Sequence, residues 1–297
     1  MKRILLISIF LSLILSFAGC ANSSSGSFPD DNMSDAQRAA AAELNSGSAG
    51  TASRISLQGG ADVLPYMLAL SDMFQAENGN ATVDVVAVGM EEALEAAEAG
   101  EADAAIFSVD SLSDVPSGAE VVAYACVAVI VNPGNSVTSL PSVDITDIFI
   151  GDVTNWQELG GEDAPVLLFV PDKDVPLRQL FEKTLPLRST TGIAKSLIPG
   201  DYSAFQDEAS VIQAVANEKN AIGICWAAAN SNAVTPVEVD GTPLSEDAVY
   251  SGSYLLSRPI VYVRGASGTE SAAAIADFAQ SPQMKQVAHG LGLWPIQ

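Results

Sequence analysis

The sequence predicts an α/β protein whose strands run largely parallel, and three observations carry that expectation. From Arg54 onward short apolar runs alternate with segments of helical spacing, and a glycine-rich turn stands between the first run and the first helix. With 297 residues, 48% hydrophobic and 16% charged, the chain is long enough for one large or two ordinary packed domains and apolar enough to bury a core. Disorder over most of its length is excluded on the same ground, despite 13 Lys+Arg against 36 Asp+Glu and a formal charge of −23.

At the N-terminus Met1-Lys2-Arg3 is a short basic head, and Ile4 to Ala18 is apolar apart from Ser8, Ser12 and Ser16. A basic head and an apolar run shorter than the roughly 20 residues of a membrane span read as a signal peptide, residues 1–19. Its end, Phe17-Ala18-Gly19-Cys20, resembles the bacterial lipobox, with Phe17 where leucine is usual. That resemblance implies a diacylglyceryl group on the Cys20 sulfur, cleavage before it, and a chain held extracytoplasmically at the outer face of the bacterial cell membrane. Removing residues 1–19 takes away two cations and no acid, so the mature charge is −23 − 2 = −25 and the surface repels anionic headgroups. Attachment then runs through the lipid. Residues 20–53, rich in serine, glycine and alanine, cannot repay ordering entropy by burial and read as a flexible tether, with Ser34 to Leu44 a candidate transient helix. Its flexible-coil reach is roughly 30 Å.

Ile55-Ser56-Leu57 is the first strand. Gln58 to Asp62 turns into a helix over Val63–Glu77, with apolar Leu64, Met67, Leu68, Met73 and Phe74 at helical spacing. Val83 to Val88 is the second strand, and Met90 to Ala99 a helix that sets Met90, Leu94 and Ala97 against a solvated face of Glu91, Glu92, Glu95 and Glu98. Ala104 to Phe107 is a third, buried strand. A second α/β unit follows: strand Cys126–Val131, helix Val143–Ile150, strand Val166–Val170, helices Leu177–Leu185 and Ser210–Asn217, and strand Ala221–Trp226. Strand Tyr254–Val263 and helix Glu270–Gln280 complete the order, and no segment repeats another.

Composition narrows the function. Thirteen cations in so acidic a chain make a nucleic-acid backbone an improbable partner. One histidine and three scattered cysteines do not make an ordinary zinc site, and no cofactor is implied. The lone His289 lies in Lys285-Gln286-Val287-Ala288-His289-Gly290, a helix-end pattern, and no Ser or Cys nucleophile has a recognisable base beside it, so an enzyme is not expected. Cys126 and Cys225 both fall in strands of the second unit, where export permits a disulfide and burial suits two small thiols; both readings stand.

Five motifs then occur in order: Ala128-Val129-Ile130-Val131-Asn132-Pro133, Asp147-Ile148-Phe149 running into Gly151-Asp152-Val153-Thr154-Asn155-Trp156, Ala221-Ile222-Gly223-Ile224, Val239-Asp240-Gly241-Thr242-Pro243, and Ser251 to Pro259. Together they resemble the phosphate-binding proteins of bacterial ABC phosphate importers, from about Arg54 to Ile296. The resemblance implies a two-lobed type II periplasmic-binding-protein fold with two crossovers and a central ligand cleft. By it, residues 54–125 and 237–297 form lobe one and residues 126–236 form lobe two, with an ABC permease as partner.

In the expected cleft the chain departs from that family. Where relatives open the first helix with Ser/Thr donors to phosphate, this chain has Gln58-Gly59-Gly60-Ala61-Asp62. Asp62 reads either as a helix cap or as a carboxylate that could accept the proton of a phosphate. The third-strand loop keeps one hydroxyl, Ser108; Pro171 falls where the family's Arg is expected, and Val175-Pro176-Leu177 replaces Ser-Gly-Thr. Lys173 and Arg178 are the nearby cations, each also readable as a surface charge. The candidate ligand residues are therefore Gly59, Gly60, Ala61, Asp62, Ser108, Lys173 and Arg178. The expected function is a solute-binding lipoprotein of an ABC importer, its ligand phosphate or another small solute, expected to be anionic; a surface sensor or scaffold with a decayed pocket that does not bind phosphate is the alternative.

Overall fold

The first strand, β1 (Ser53–Gly59), buries Ile55, Leu57 and Gly59 and passes through one 3-10 turn at Ala61–Val63 into α1 (Leu64–Glu77). Pro65 lies in the first helical turn, where an N–H would have no intrahelical acceptor. The buried stripe of α1 is Tyr66, Met67, Leu70, Ser71 and Phe74; Leu68, expected inside, is about a quarter turn round the helix from Met67 and 47% exposed. β2 (Ala81–Ala87) and β3 (Ala104–Ser108) flank β1, both parallel to it. Between them α2 (Met90–Glu98) packs Ala93, Ala96 and Ala97 inward and turns its four glutamates to solvent, while Met90, at its first position, is exposed.

The computed structural model describes residues 53–185, 202–229 and 231–296. The signal segment, Cys20 and the tether as far as Ala52 lie outside the described residues. β4 (Glu120–Val131) is longer than its sequence signal because its first half, like its second, is buried from Val122 onward. One strand thereby joins two sheets: its first half pairs antiparallel with β11 (Ser257–Arg264) and β12 (Leu293–Pro295), its second with β8 (Ala221–Trp226) and β9 (Thr235–Pro236). The strand order is β2-β1-β3-β11-β4-β8-β6-β7, with β6 (Leu167–Pro171) and β7 (Tyr202–Phe205) parallel to each other. Pairing is parallel at both ends and antiparallel in the middle, where β11 returns against β3 and β4. A two-stranded ribbon joins β5 (Ser139–Leu140) to β10 (Glu238–Val239). The remaining helices are α3 (Ser142–Ile150), α4 (Pro176–Thr184), α5 (Glu208–Asn217), α6 (Glu246–Tyr250), α7 (Glu270–Ala279) and α8 (Pro282–Gly290). Among the described residues no helix is long and apolar enough to cross a membrane.

Two principal clusters of buried side chains correspond to the two lobes. One gathers Ile55, Met67, Phe74, Ile106, Ile260 and Met284; the other gathers Val129, Phe149, Trp156, Phe181, Ile222 and Tyr254. Val237, Val239, Ala248, Val249 and Leu256 also belong to the second. The ribbon of β5 with β10 and a 2.9 Å bond from the Val127 N–H to the Leu256 carbonyl hold that segment beside the second cluster.

Cys126 and Cys225 are buried, unpaired thiols of that cluster. Burial raises the Cys126 thiol far above its usual range and pushes Cys225 up to about 12, which leaves little thiolate in the native state. Intact mass should therefore be unchanged by reduction, with alkylation of both thiols only after unfolding. A loss of two hydrogens' mass before reduction would count against free thiols.

Candidate functional site

At the end of β1 the backbone comes unusually close to its neighbour: a Cβ on Gly59 would lie 1.9 Å from the Ile106 carbonyl oxygen of β3. Gly60 follows in an extended conformation and donates its N–H to that same carbonyl at 3.1 Å, so this N–H is not directed at a ligand. Asp62, in the 3-10 turn, makes no side-chain cap; its carboxylate accepts a hydrogen bond from the Ser108 hydroxyl at the end of β3. Of the two sequence readings of Asp62, capping is set aside by this geometry. The pair ties the start of the first helix to the strand end beside it.

Facing them is α4. Pro176, Gln179, Leu180 and Lys183 recur three and four residues apart, which puts them on one helix face. Ala125 and Ile260 form the floor, Trp226 ends β8 on one side, and Leu291 and Leu293 come from the C-terminal segment. Together with Ala61, Asp62, Val63, Pro65, Tyr66 and Ser108 they enclose a cleft of about 550 Å³. Its two lining charges are opposite in sign, Asp62 and Lys183, and most of the rest is apolar. Tyr66 contributes its ring, because its hydroxyl donates to the Ala279 carbonyl at 3.1 Å and burial holds its pKa above the usual range.

Trp226 is fixed from two sides. Its backbone N–H donates to the Glu208 carboxylate at 2.9 Å, and burial raises the Glu208 carboxyl above the usual carboxylate range. Gly292 presses on the indole: at φ 79° it adopts a left-handed conformation, and a Cβ there would lie 2.4 Å from the ring. Gly292→Ala should lower stability by about 1–2 kcal/mol through backbone strain alone and displace the indole, read as a lower melting temperature and an altered near-ultraviolet dichroism. An unchanged spectrum would refute the contact.

The two predicted cations lie elsewhere. Arg178 is buried, donating from Nε to Glu182 at 2.8 Å and from Nη1 to the Pro171 carbonyl at 3.2 Å, with its guanidinium 5.1 Å from the Tyr202 ring centre. Its helical spacing to Glu182 and the neighbouring aromatic ring make it a structural cation. Lys173 is an exposed residue of the loop before α4 and does not line the cleft. Gly59 is likewise a packing position, whereas Ala61, Asp62 and Ser108 do line the cleft.

Arg258, which is not among the expected ligand residues, is a buried cation of β11 two positions from Ile260 and does not itself line the cleft. It is 5% exposed, pairs with the Asp110 carboxylate, and donates from Nε to the Thr184 hydroxyl at the end of α4 at 3.3 Å. Its Nη1 is buried without a hydrogen-bond partner among the described residues. The signal in the sequence is one arginine inside an otherwise uncharged run from Tyr254 to Val263, since a buried charge needs a partner.

Comparison with known proteins agrees with this architecture. The family model described as a PBP superfamily domain matches residues 45–283. The phosphate-binding protein PstS of Bacillus subtilis (strain 168) is 23% identical over 261 residues, 85% of this chain and 80% of the relative. An ABC-type phosphate transport receptor from Vibrio cholerae superposes with a TM-score of 0.66 at 21% identity, covering 82% of this chain and all (100%) of the receptor. A putative phosphate ABC transporter substrate-binding protein with bound phosphate from Clostridium perfringens gives 0.50 at 25% identity, over 82% and 100% of the two chains.

Proposed function

We propose, because this chain belongs to the PBP superfamily, that it is a lipid-anchored extracytoplasmic solute-binding protein that delivers a small solute to the permease of an ABC importer. The observation that carries the reading is the cleft itself. Asp62 and Ser108 stand on one wall and Gln179 and Lys183 on the other, so a solute held between them makes contacts from both lobes at once. The phosphate-binding name of the Bacillus subtilis relative supports the binding of a small solute, and the ABC transporter named for the Clostridium perfringens protein supports a link to transport. Anchoring rests on the basic head, the apolar run and the small residues before Cys20.

Two measurements test this reading. A fatty-acid analogue should label the wild-type protein in bacterial membranes and fail to label Cys20→Ala; equal labelling of both would refute the anchor. Mature protein should melt at a higher temperature in at least one small-molecule fraction of a bacterial lysate, because a ligand that binds only the folded state stabilises it by mass action. Unchanged melting in every fraction would refute solute binding.

A further inference from the structure

We propose that Arg258 is a positioning residue of the cleft: it does not meet the solute, and it holds the two walls at their working separation by bonding one group from each. The inference rests on the walls of the cleft described above and not on what fills them, so wall positioning and solute binding can fail separately.

The place of Arg258 in the chain comes first. Leu256 belongs to the second cluster of buried side chains and Ile260 to the first, so the chain crosses between them within four residues. Arg258 lies midway in that crossing, paired with Ala125 of β4. β4 crosses at the same level, since Ala125 packs in the first cluster and Cys126 in the second. A residue at such a crossing is displaced least when the two sides turn relative to one another.

Its partners come from opposite walls. Asp110 follows Ser108 by two residues, and the Val109 N–H donates to the Pro259 carbonyl at 3.0 Å, which fastens the backbone beside Asp110 to that beside Arg258. The Asp110 carboxylate pairs with Nη2. Thr184 ends α4 next to Lys183 of the facing wall, and its hydroxyl accepts from Nε at 3.3 Å. Leu177 and Phe181 root α4 in the second cluster. One guanidinium therefore holds both walls, the first by an ion pair and the second by a single bond to a neutral hydroxyl.

Leu180 and Trp226 also pack against both clusters, but apolar contact is non-directional and tolerates sliding. A hydrogen bond to a planar guanidinium fixes an angle. The guanidinium is 5% exposed and its Nη1 already lacks an acceptor among the described residues, so drawing Thr184 away leaves a second donor to be met by water. Thr184 is the weaker link and the place where the walls part. Walls held in place raise the fraction of molecules ready to bind, and the apparent dissociation constant falls in proportion.

Pulsed electron double resonance tests the clamp without a ligand. Mature protein carrying Cys20→Ala takes spin labels at Asp72→Cys in α1 and Lys173→Cys in the loop before α4, both exposed and outside the cleft lining. With Thr184 and Arg258 intact, one distance should dominate. Thr184→Val, which removes the hydroxyl and keeps the shape, should raise the proportion of a second distance at least about tenfold, the effect of one hydrogen bond to a charged group. Thr184→Ser, which keeps the hydroxyl, should restore the single distance. Arg258→Lys keeps the charge but cannot meet both partners, and should behave as Thr184→Val does. A role in stability alone would lower the melting temperature of Thr184→Val and leave its distances unchanged in the folded protein; that result overturns the clamp. Equal distributions for Thr184→Val and Thr184→Ser overturn it too, as does a second distance that dominates before any change at Thr184 or Arg258. None of these outcomes alters the melting test with lysate fractions, which decides solute binding by itself.

Discussion

Trp156→Ala should destabilise the protein by about 3–5 kcal/mol, the range for removing a large buried aromatic side chain. Trp156 is 1% exposed in the second cluster. Its indole N–H donates to the Asn220 carbonyl at 2.8 Å, its backbone N–H to Ala164 at 2.9 Å, and its own carbonyl accepts from Gly161 at 2.9 Å. Asn155 and Glu158 close a capping box around it, with the Gln157 N–H reaching the Asn155 side chain at 2.9 Å. The residue therefore fastens the loop 155–164 to the start of β8. The Asn220 carbonyl also accepts from the Leu167 N–H at 3.0 Å, so it keeps a partner in the variant and the loss is chiefly one of packing. Urea unfolding would show it as a lower midpoint with the same slope. Trp156→Phe, which keeps a ring, should recover most of the loss; a deficit below about 1 kcal/mol for Trp156→Ala would refute the fastening role.

The alternation of apolar runs and helical spacing located β1, β2, β3, β6 and β8 and most of the helices, because local pattern is what burial on one face imprints. Long-range pairing leaves no such imprint. Nothing near Ser257 to Arg264 tells that β11 returns antiparallel between β3 and β4, or that residues 237–256 pack with the second cluster. In α1 the hydrophobic residues outnumber the buried ones, so Leu68 and Met67 were equivalent in sequence and only packing separates them. The cleft was legible in part. Its wall at Ala61, Asp62 and Ser108 follows from the first strand-turn-helix and the third strand end. The cations were not, since a guanidinium's direction depends on neighbours far along the chain. Arg178 turns to Glu182 and Tyr202, while Arg258 meets Asp110 and Thr184 from other segments.

Gly59→Ala should cost stability toward the upper end of the about 1–3 kcal/mol seen when atoms are forced into packed sites, and should weaken solute binding as well. A Cβ at Gly59 would stand 1.9 Å from the Ile106 oxygen and 2.7 Å from the Met67 sulfur. The Met67 side chain can move aside. The Ile106 backbone cannot, since β3 is held by β1 on one side and by β11 on the other. Relief requires the β1–β3 ladder to open where the Gly60 N–H meets the Ile106 carbonyl at 3.1 Å, and that shift carries the Ala61–Val63 turn with it. Asp62 then loses its alignment with Ser108, so one substitution in a strand reaches the cleft without touching a ligand. Gly79→Ala is the matched control, because a Cβ at Gly79 meets nothing within 4 Å. Its melting temperature and ligand affinity should equal wild type or exceed it slightly. Equal stability and equal affinity of the two variants would show that the close approach at Gly59 does not position the cleft.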